Sequence, residues 1–321
     1  LRQLPIRSTI SSLPNAPTQR DQNWDDDSSD DPNGAAEQAS LYTLPGENPR
    51  PENLAYYAVL FAQTAFPHNE VAGNEFARRN GDVALSLLSP TEVGLPYGLY
   101  PRLILIWLIT QYRSGGSTII ELPWTFQGFA DQLGLPVLRW GEGKSGSRLK
   151  DQLVRLLHVS VRARTTDKVT HHDAGAGFHI ASRYSLWWDE GDGSRATPHA
   201  NYIEISAEFA RLIDKRYPID IRLVREIALP QSAGGRGACL ALDLYLWLAQ
   251  RCYRLHRPLE LTWQQLADQL GADYSRTADL ARKLRGVLPG VLALYPLRVD
   301  THSHGLIVHP AATPALPDNT P

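Results

Sequence analysis

An α+β chain of two similar domains in series, flanked by unstructured tails, is the fold class this sequence predicts, and two observations predict it. The first is a pattern that occurs twice. Trp107-Leu108, Glu121-Leu122-Pro123-Trp124 and Phe129-Ala130-Asp131-Gln132-Leu133-Gly134 reappear as Trp247-Leu248, Glu260-Leu261-Thr262-Trp263 and Leu266-Ala267-Asp268-Gln269-Leu270-Gly271. Solenoid repeats recur every ~20–50 residues, so a period this long reports a duplicated domain. The second observation is the order of elements in each copy: an apolar helix, a short strand, a second helix ended by glycine, then a basic amphipathic helix. That is the order of a winged-helix domain, whose third helix enters the major groove of DNA. The expectation is therefore two tandem winged-helix domains, over residues 51–217 and 218–310, between disordered tails at 1–50 and 311–321.

Each element has a local cause. Residues 1–50 are rich in Pro, Ser, Asn and Asp and lack periodic apolar positions, as disordered segments do. Leu54, Tyr57, Ala58, Phe61 and Ala65 predict a short amphipathic helix over 54–66. Phe76 to Leu88 predicts a hairpin turning at Asn80-Gly81, a favoured turn pair. Pro101 suits the first turn of a helix reaching Arg113. Ser117 to Leu122 is a strand, and Thr125 an N-cap for the helix ending at Gly134. After the Gly-rich loop 135–146, Ser147 is placed as the cap of a helix with Leu149, Leu153, Leu156 and Leu157 at i, i+4, i+7 and i+8. Val159 to Arg164 is expected to pair with Phe178 to Trp188 as a wing or small sheet, with Thr165 to Gly177 as its tip. A strand at Tyr202 to Ile205 and a helix from Ala207 to Tyr217 complete the first half.

The second half repeats this layout. A helix spans about Ala238 to Tyr253, a strand Leu259 to Leu261, and Thr262 caps the next helix. The third helix runs from Tyr274 to Leu288, with Leu280, Leu284, Val287 and Leu288 again at i, i+4, i+7 and i+8. Val291 to Val299 and Leu306 to Val308 are expected to form the second wing.

Composition bounds the function. The chain has 321 residues and a mean hydropathy of -0.29, enough for two cores in a soluble protein. Its longest apolar run, Leu103 to Ile109, is too short to cross a bilayer, and no signal peptide is visible. The two cysteines, Cys239 and Cys252, lack metal-ligand spacing and read as free thiols in a reducing cytoplasm. The net charge of -2 hides an uneven distribution. Asp25, Asp26, Asp27, Asp30, Asp31, Glu37 and Glu47 make the N-terminal tail acidic, whereas residues 139–168 are basic.

That basic stretch carries the first candidate interface with double-stranded DNA. Arg148, Gln152 and Arg155 fall at i, i+4 and i+7 on one face, flanked by Arg139, Lys144 and Lys150. Arg reads guanine and Gln reads adenine through paired hydrogen bonds, so Arg148→Ala or Arg155→Ala is expected to relax specificity with the fold intact. The second candidate helix offers Arg276, Arg282, Lys283 and Arg285 against Asp279 alone. Arg162, Arg164 and Arg298 are assigned to the wings, where phosphate contacts outnumber base contacts.

Other motifs fail on spacing. Gly141-Glu142-Gly143-Lys144-Ser145 resembles a phosphate-binding loop, but position 138 is Leu where the motif needs Gly. Gly234-Gly235-Arg236-Gly237 reads as a hinge. His302-Ser303-His304 has no acidic partner or nucleophilic Tyr arranged around it, His171, His172 and His179 are surface histidines by default, and Asp25-Asp26-Asp27 lies in the tail. No catalytic set, metal site or cofactor is expected, so the protein is read as non-enzymatic.

Gly94-Leu-Pro-Tyr-Gly-Leu-Tyr-Pro-Arg-Leu-Ile-Leu-Ile-Trp-Leu108 resembles a segment that marks plasmid RepA-type replication initiators. So do Arg139-Trp140-Gly141 followed by Ser147-Arg-Leu-Lys-Asp-Gln-Leu-Val-Arg-Leu-Leu157. Ala241 to Leu248, Leu261 to Leu266 and Tyr295-Pro296 with Gly305-Leu306 are similar too. The resemblance covers about residues 54–310. It departs from the family in the Gly-rich stretch Glu142 to Gly146 and at Gly234 to Gly237. It implies a bacterial cytoplasmic protein that binds direct repeats (iterons) at a plasmid origin, helps open the duplex and recruits a host helicase or host initiator proteins. It also implies autoregulation, with a homodimer favouring repression and the monomer favouring origin repeats. A winged-helix transcriptional repressor and a winged-helix protein-interaction scaffold remain as alternatives.

Overall fold

The computed structural model describes residues 51–167, 172–188, 200–232, 237–252, 255–270 and 276–310. The two expected tails, residues 168–171 of the expected tip, residues 234–236 of the Gly-rich hinge and the expected start of the last helix at Tyr274 lie outside them, while the rest of the tip, 165–167 and 172–177, is strand. Among the described residues the fold is mixed α/β with antiparallel sheets.

After a short 3-10 turn at Pro51–Asn53, the chain enters strand β1 (Leu54–Ala58) and then helix α1 (Val59–Gln63). A single helix was expected here. The strand forms because a distant segment, β9 (Arg216–Asp220), pairs with it antiparallel, Leu54 opposite Asp220 and Ala58 opposite Arg216. Tyr57 is thereby packed edge-on against Tyr217. Local periodicity carries no trace of a partner so far along the chain.

Strands β2 (Glu75–Asn80) and β3 (Val83–Leu88) form the expected hairpin, one residue out of the expected turn. Gly81 and Asp82 occupy the turn, with Gly81 at φ 57°. Asn80 is buried instead, and its amide donates to the Gln63 carbonyl at 3.1 Å. Strands β5 (Ser160–Asp167) and β6 (His172–His179) extend this hairpin into a four-stranded sheet of order β2-β3-β5-β6. The expected pairing of Val161 with Phe178 is present, within this sheet. Buried Ile180 separates β6 from β7 (Ala181–Ser185), which joins β4 (Ile119–Glu121) and β8 (Tyr202–Ile205) in a separate sheet of order β4-β8-β7.

Helix α2 (Leu99–Gly115) is buried from Tyr100 through Ile109 and ends at Gly116 in the left-handed region, whose N–H donates to the Tyr112 carbonyl. Helix α3 (Phe126–Gln132) is capped by Thr125 as expected, the hydroxyl accepting from the Gly128 N–H at 3.0 Å. Helix α4 (Ser145–His158) begins two residues before the expected cap. Its Ser145 and Ser147 hydroxyls accept from the Arg139 and Gly141 N–H groups instead, stapling the preceding loop to the first turn. Helix α5 (Ala207–Leu212) is shorter than expected, since Arg216 and Tyr217 are claimed by β9.

Helix α6 (Ile221–Ser232) leads into the second copy: α7 (Ala238–Cys252), β10 (Leu259–Thr262), α8 (Trp263–Leu270), α9 (Thr277–Leu294), β11 (Val299–Thr301) and β12 (Gly305–Val308). Helix α9 runs past its expected end at Leu288, straight through Pro289. Proline removes one backbone donor, and burial of Leu288 and Val291 carries the helix on. The second hairpin therefore starts at Val299, and Val291 to Leu294 are helical.

Both copies run helix, strand, helix, helix and close on two strands, with β5 and β6 intervening in the first, and in both the strand after the first helix pairs with the last strand. The repeated residues do the same work in each. Trp107 donates its indole N–H to the Gln132 amide oxygen at 2.8 Å, and Trp247 donates to Gln269 at 2.7 Å. The described residues of the two copies share one continuous hydrophobic core.

Candidate nucleic-acid interface

Helix α4 buries Leu149, Leu153, Leu156 and Leu157 in the core as its spacing predicts. The opposite side is narrower than the sequence suggests, because the Leu95–Gly98 turn covers part of it. Gln152 lies under that turn at 3% exposure. Its amide oxygen accepts from the Tyr97 N–H at 2.8 Å and its amide NH2 donates to Asp151 at 3.0 Å. Arg155 is held by Asp151 at 2.9 Å and Glu70 at 3.2 Å, donates to the Leu95 carbonyl and lies over the Tyr97 ring. The fold-neutral expectation for Arg155→Ala is corrected by this placement: the residue fastens α4 to the turn. Gln152→Ala is expected to lower stability by about 1–3 kcal/mol, the cost of a buried donor left unpaired, without changing which DNA is preferred. Urea denaturation of the variant beside a binding isotherm checks both halves.

The other cations of this stretch point outward. Arg139, Lys144 and Arg148 are exposed, and Lys150 is half-buried. The 139–146 loop sets their positions. Gly141 and Gly143 adopt positive φ of 113° and 67°. The Gly146 N–H closes on the Arg139 carbonyl at 2.9 Å, where a side chain on Gly146 would press into the Trp140 ring. The loop thus places Arg139 and Lys144 at the start of α4, with Arg148 one turn in. Among the described residues, no carboxylate pairs with any of these three. The start of a helix is the positive end of its dipole, so three unneutralised cations gathered there favour an anion arriving from solution.

Arg162 and Arg164 are both exposed and stand on β5, whose pairing with β6 lies within the four-stranded sheet. Arg164 is bound through two nitrogens to Asp173, at 2.8 and 2.6 Å.

In the second copy, the outward side of α9 carries Arg282, Lys283 and Arg285, with Arg276 at its N-cap. Asp279 lies between Arg276 and Arg282, 3.2 Å from each. Arg285 sits 4.5 Å above the Trp263 ring and donates to the His302 carbonyl at 3.3 Å. Trp263 donates to the Ser303 carbonyl at 2.9 Å, so both residues pin the β11–β12 turn to the helices. Arg298 lies on the approach to that hairpin, 3.8 Å from Asp300. Lys283 has no carboxylate partner among the described residues.

Two exposed indoles lie outside the expected interface residues. Trp124 is 60% exposed just before the cap of α3, and Trp187 is 52% exposed at the end of the β7 segment. The detectable signal was their position, one beside an N-cap and one next to Trp188, which is buried. The His302–Ser303–His304 turn is closed on itself, His302 accepting from the His304 N–H and standing 3.5 Å from Glu260. Among the described residues no cluster of three or more His, Cys, Asp or Glu is arranged to hold a metal ion, and no helix is long and apolar enough to cross a membrane.

Comparison with known proteins adds three findings. The family described as plasmid encoded RepA protein matches residues 95–265, more than half of the chain. No curated protein matches. Among solved structures, domains 2–3 of RctB are similar at 12% identity and a TM-score of 0.47, covering 78% of this chain and 95% of that one. A selenomethionine derivative of the same two domains gives 12% identity and a TM-score of 0.48 over 79% and 97%.

Proposed function

Because the chain belongs to the plasmid encoded RepA protein family, we propose that it is a plasmid replication initiator that binds repeated double-stranded sites at its origin through two winged-helix units. In this reading α4 enters one major groove and α9 the next. The 139–146 loop grips the phosphate backbone, and the bound protein helps open the duplex and recruits host replication proteins. The observation that carries the proposal is the cluster of Arg139, Lys144 and Arg148 at the start of α4, which among the described residues has no carboxylate partner, Arg148 lying over the Tyr100 ring. The third helix of a winged unit is the one that reads bases, and phosphate is the anion such a cluster fits. Arg148 is the base-reading candidate on α4. Arg282 and Lys283 are the corresponding pair on α9. No catalytic step is assigned to the protein, whose work is binding and assembly.

Fluorescence anisotropy with a labelled origin fragment tests this. Affinity is expected to fall linearly in log–log form as salt rises. Arg148→Ala is expected to reduce the preference for the origin over scrambled DNA by about tenfold or more, the ~1–3 kcal/mol of one paired base contact. Lys144→Ala is expected to weaken both DNAs alike and to lower the salt slope by about one. Equal affinity of the wild type for origin and scrambled DNA would refute the proposal.

A further inference from the structure

The two copies are joined by a buried ionic contact that the DNA-binding proposal does not use. Arg102, on α2, is fully buried, and Asp243, on α7, is 5% exposed. The guanidinium grips the carboxylate through two nitrogens, at 2.6 Å and 2.7 Å. It also donates to the Gly98 carbonyl at 2.6 Å and the Phe66 carbonyl at 2.8 Å. His68 closes the cluster, its Nε2 2.7 Å from the same carboxylate. An apolar contact could have filled this space, and a buried ion pair seldom gains stability over one. A two-point fork does gain geometric specificity.

The contact also lies between the two outward basic helices. On one side, Gln152 and Arg155 of α4 fasten that helix to the Leu95–Gly98 turn. That turn opens α2, and Arg102 stands in its first turns. On the other side, Asp243 belongs to α7, which packs directly on α9. From α4 to α9 the route therefore runs through directional hydrogen bonds, one forked ion pair and one helix packing, with no linker in it.

We infer that Arg102 and Asp243 are positioning residues that hold α4 and α9 at one fixed separation, so that the DNA site has an invariant spacing between its two halves. This rests on the DNA-binding proposal above. A flexibly joined pair of domains behaves differently: it tolerates an inserted whole turn of DNA, because each helix again meets its groove on the same face. A rigid pair cannot, since one turn adds ~34–36 Å to the distance it must span.

The test uses the full chain and its footprinted origin site, with one to five base pairs, or one whole turn of about ten, inserted between the two protected halves. The wild type is expected to lose at least tenfold in affinity with the short insertions and to stay weak at the whole turn. Asp243→Asn, which keeps the shape but not the forked charge, is expected to show a smaller difference between inserted and uninterrupted sites. If it does not fold, Arg102→Lys takes its place, retaining the charge without the fork. Recovery of wild-type affinity at the whole turn overturns the inference while leaving DNA binding standing, as does an equal insertion penalty in the folded variant. Absence of any specific footprint removes the DNA-binding proposal, and this inference with it.

Discussion

Asp243→Ala is expected to cost about 3–5 kcal/mol of stability, the loss that follows when one partner of a buried ion pair is removed. The truncation leaves the Arg102 guanidinium fully buried with carbonyl partners and no anion. It also removes the group facing His68. Domain stabilities are commonly ~5–15 kcal/mol, so a large share of the total is at stake, and urea or thermal unfolding will read it. The same cluster sets a pH dependence. Burial holds the His68 imidazole below its ordinary 6.5 despite the bond to Asp243. At Asp243 burial pushes the carboxyl up, but Arg102 and His68 pull it further down, below its ordinary 3.8. Both groups bind protons less readily folded than unfolded, so their stabilisation is complete above about pH 6.5 and is lost as the medium turns acid. The His68 part goes first, as pH falls below 6.5, and the Asp243 part follows below 3.8. The urea midpoint is expected to be lower at about pH 5.5 than at about pH 7.5, and His68→Gln is expected to flatten that step.

Gly305→Ala is the second change with a large expected effect, about 3 kcal/mol, at the upper end for a methyl forced into a packed site. Gly305 pairs with Thr262 across β10 and β12. A Cβ there would lie inside the contact radius of the Leu261 carbonyl oxygen and 2.9 Å from the Thr262 Cα. Those are backbone atoms of the neighbouring strand and cannot swing aside as a flexible side chain would. The strand must separate, which also disturbs the 302–304 turn that Trp263 and Arg285 hold against α9. Denaturation should show the lost stability. Loss of amide protection along Leu259–Thr262 in hydrogen exchange should locate it. An alanine variant as stable as the wild type would mean the strands are not packed this closely.

The legible parts of the fold were those that local periodicity and capping decide. The duplicated Trp107 and Trp247 lie on buried helices and make the same bond to the repeated Gln132 and Gln269. Thr125 caps where it was expected to. The illegible parts depend on partners far along the chain. Leu54 to Ala58 is apolar enough for either helix or strand, and only β9 decides between them. Strand β5 shows its alternation plainly, but nothing local says that β3 would claim its other edge and place Arg162 and Arg164 in a four-stranded sheet. Arg102 and Asp243 stand 141 positions apart and look like ordinary helix charges.

The candidate interface was half legible for a related reason. Spacing placed Arg148, Gln152 and Arg155 on one face of a helix. It could not show that the Leu95–Gly98 turn roofs part of that face and engages two of the three. Counting charges likewise treats Arg139 and Arg164 alike, although Asp173 neutralises Arg164 while Arg139 stands free of carboxylates among the described residues. The structure therefore separates the cations held by carboxylates from those without such a partner among the described residues.

Footprinting of the plasmid's own origin with the purified full chain tests the central claim most directly. The account predicts protection of direct repeats, each covering two successive major grooves on one face, and loss of that pattern on raising the salt. Uniform weak protection along the fragment, no different from that on unrelated DNA, would contradict it.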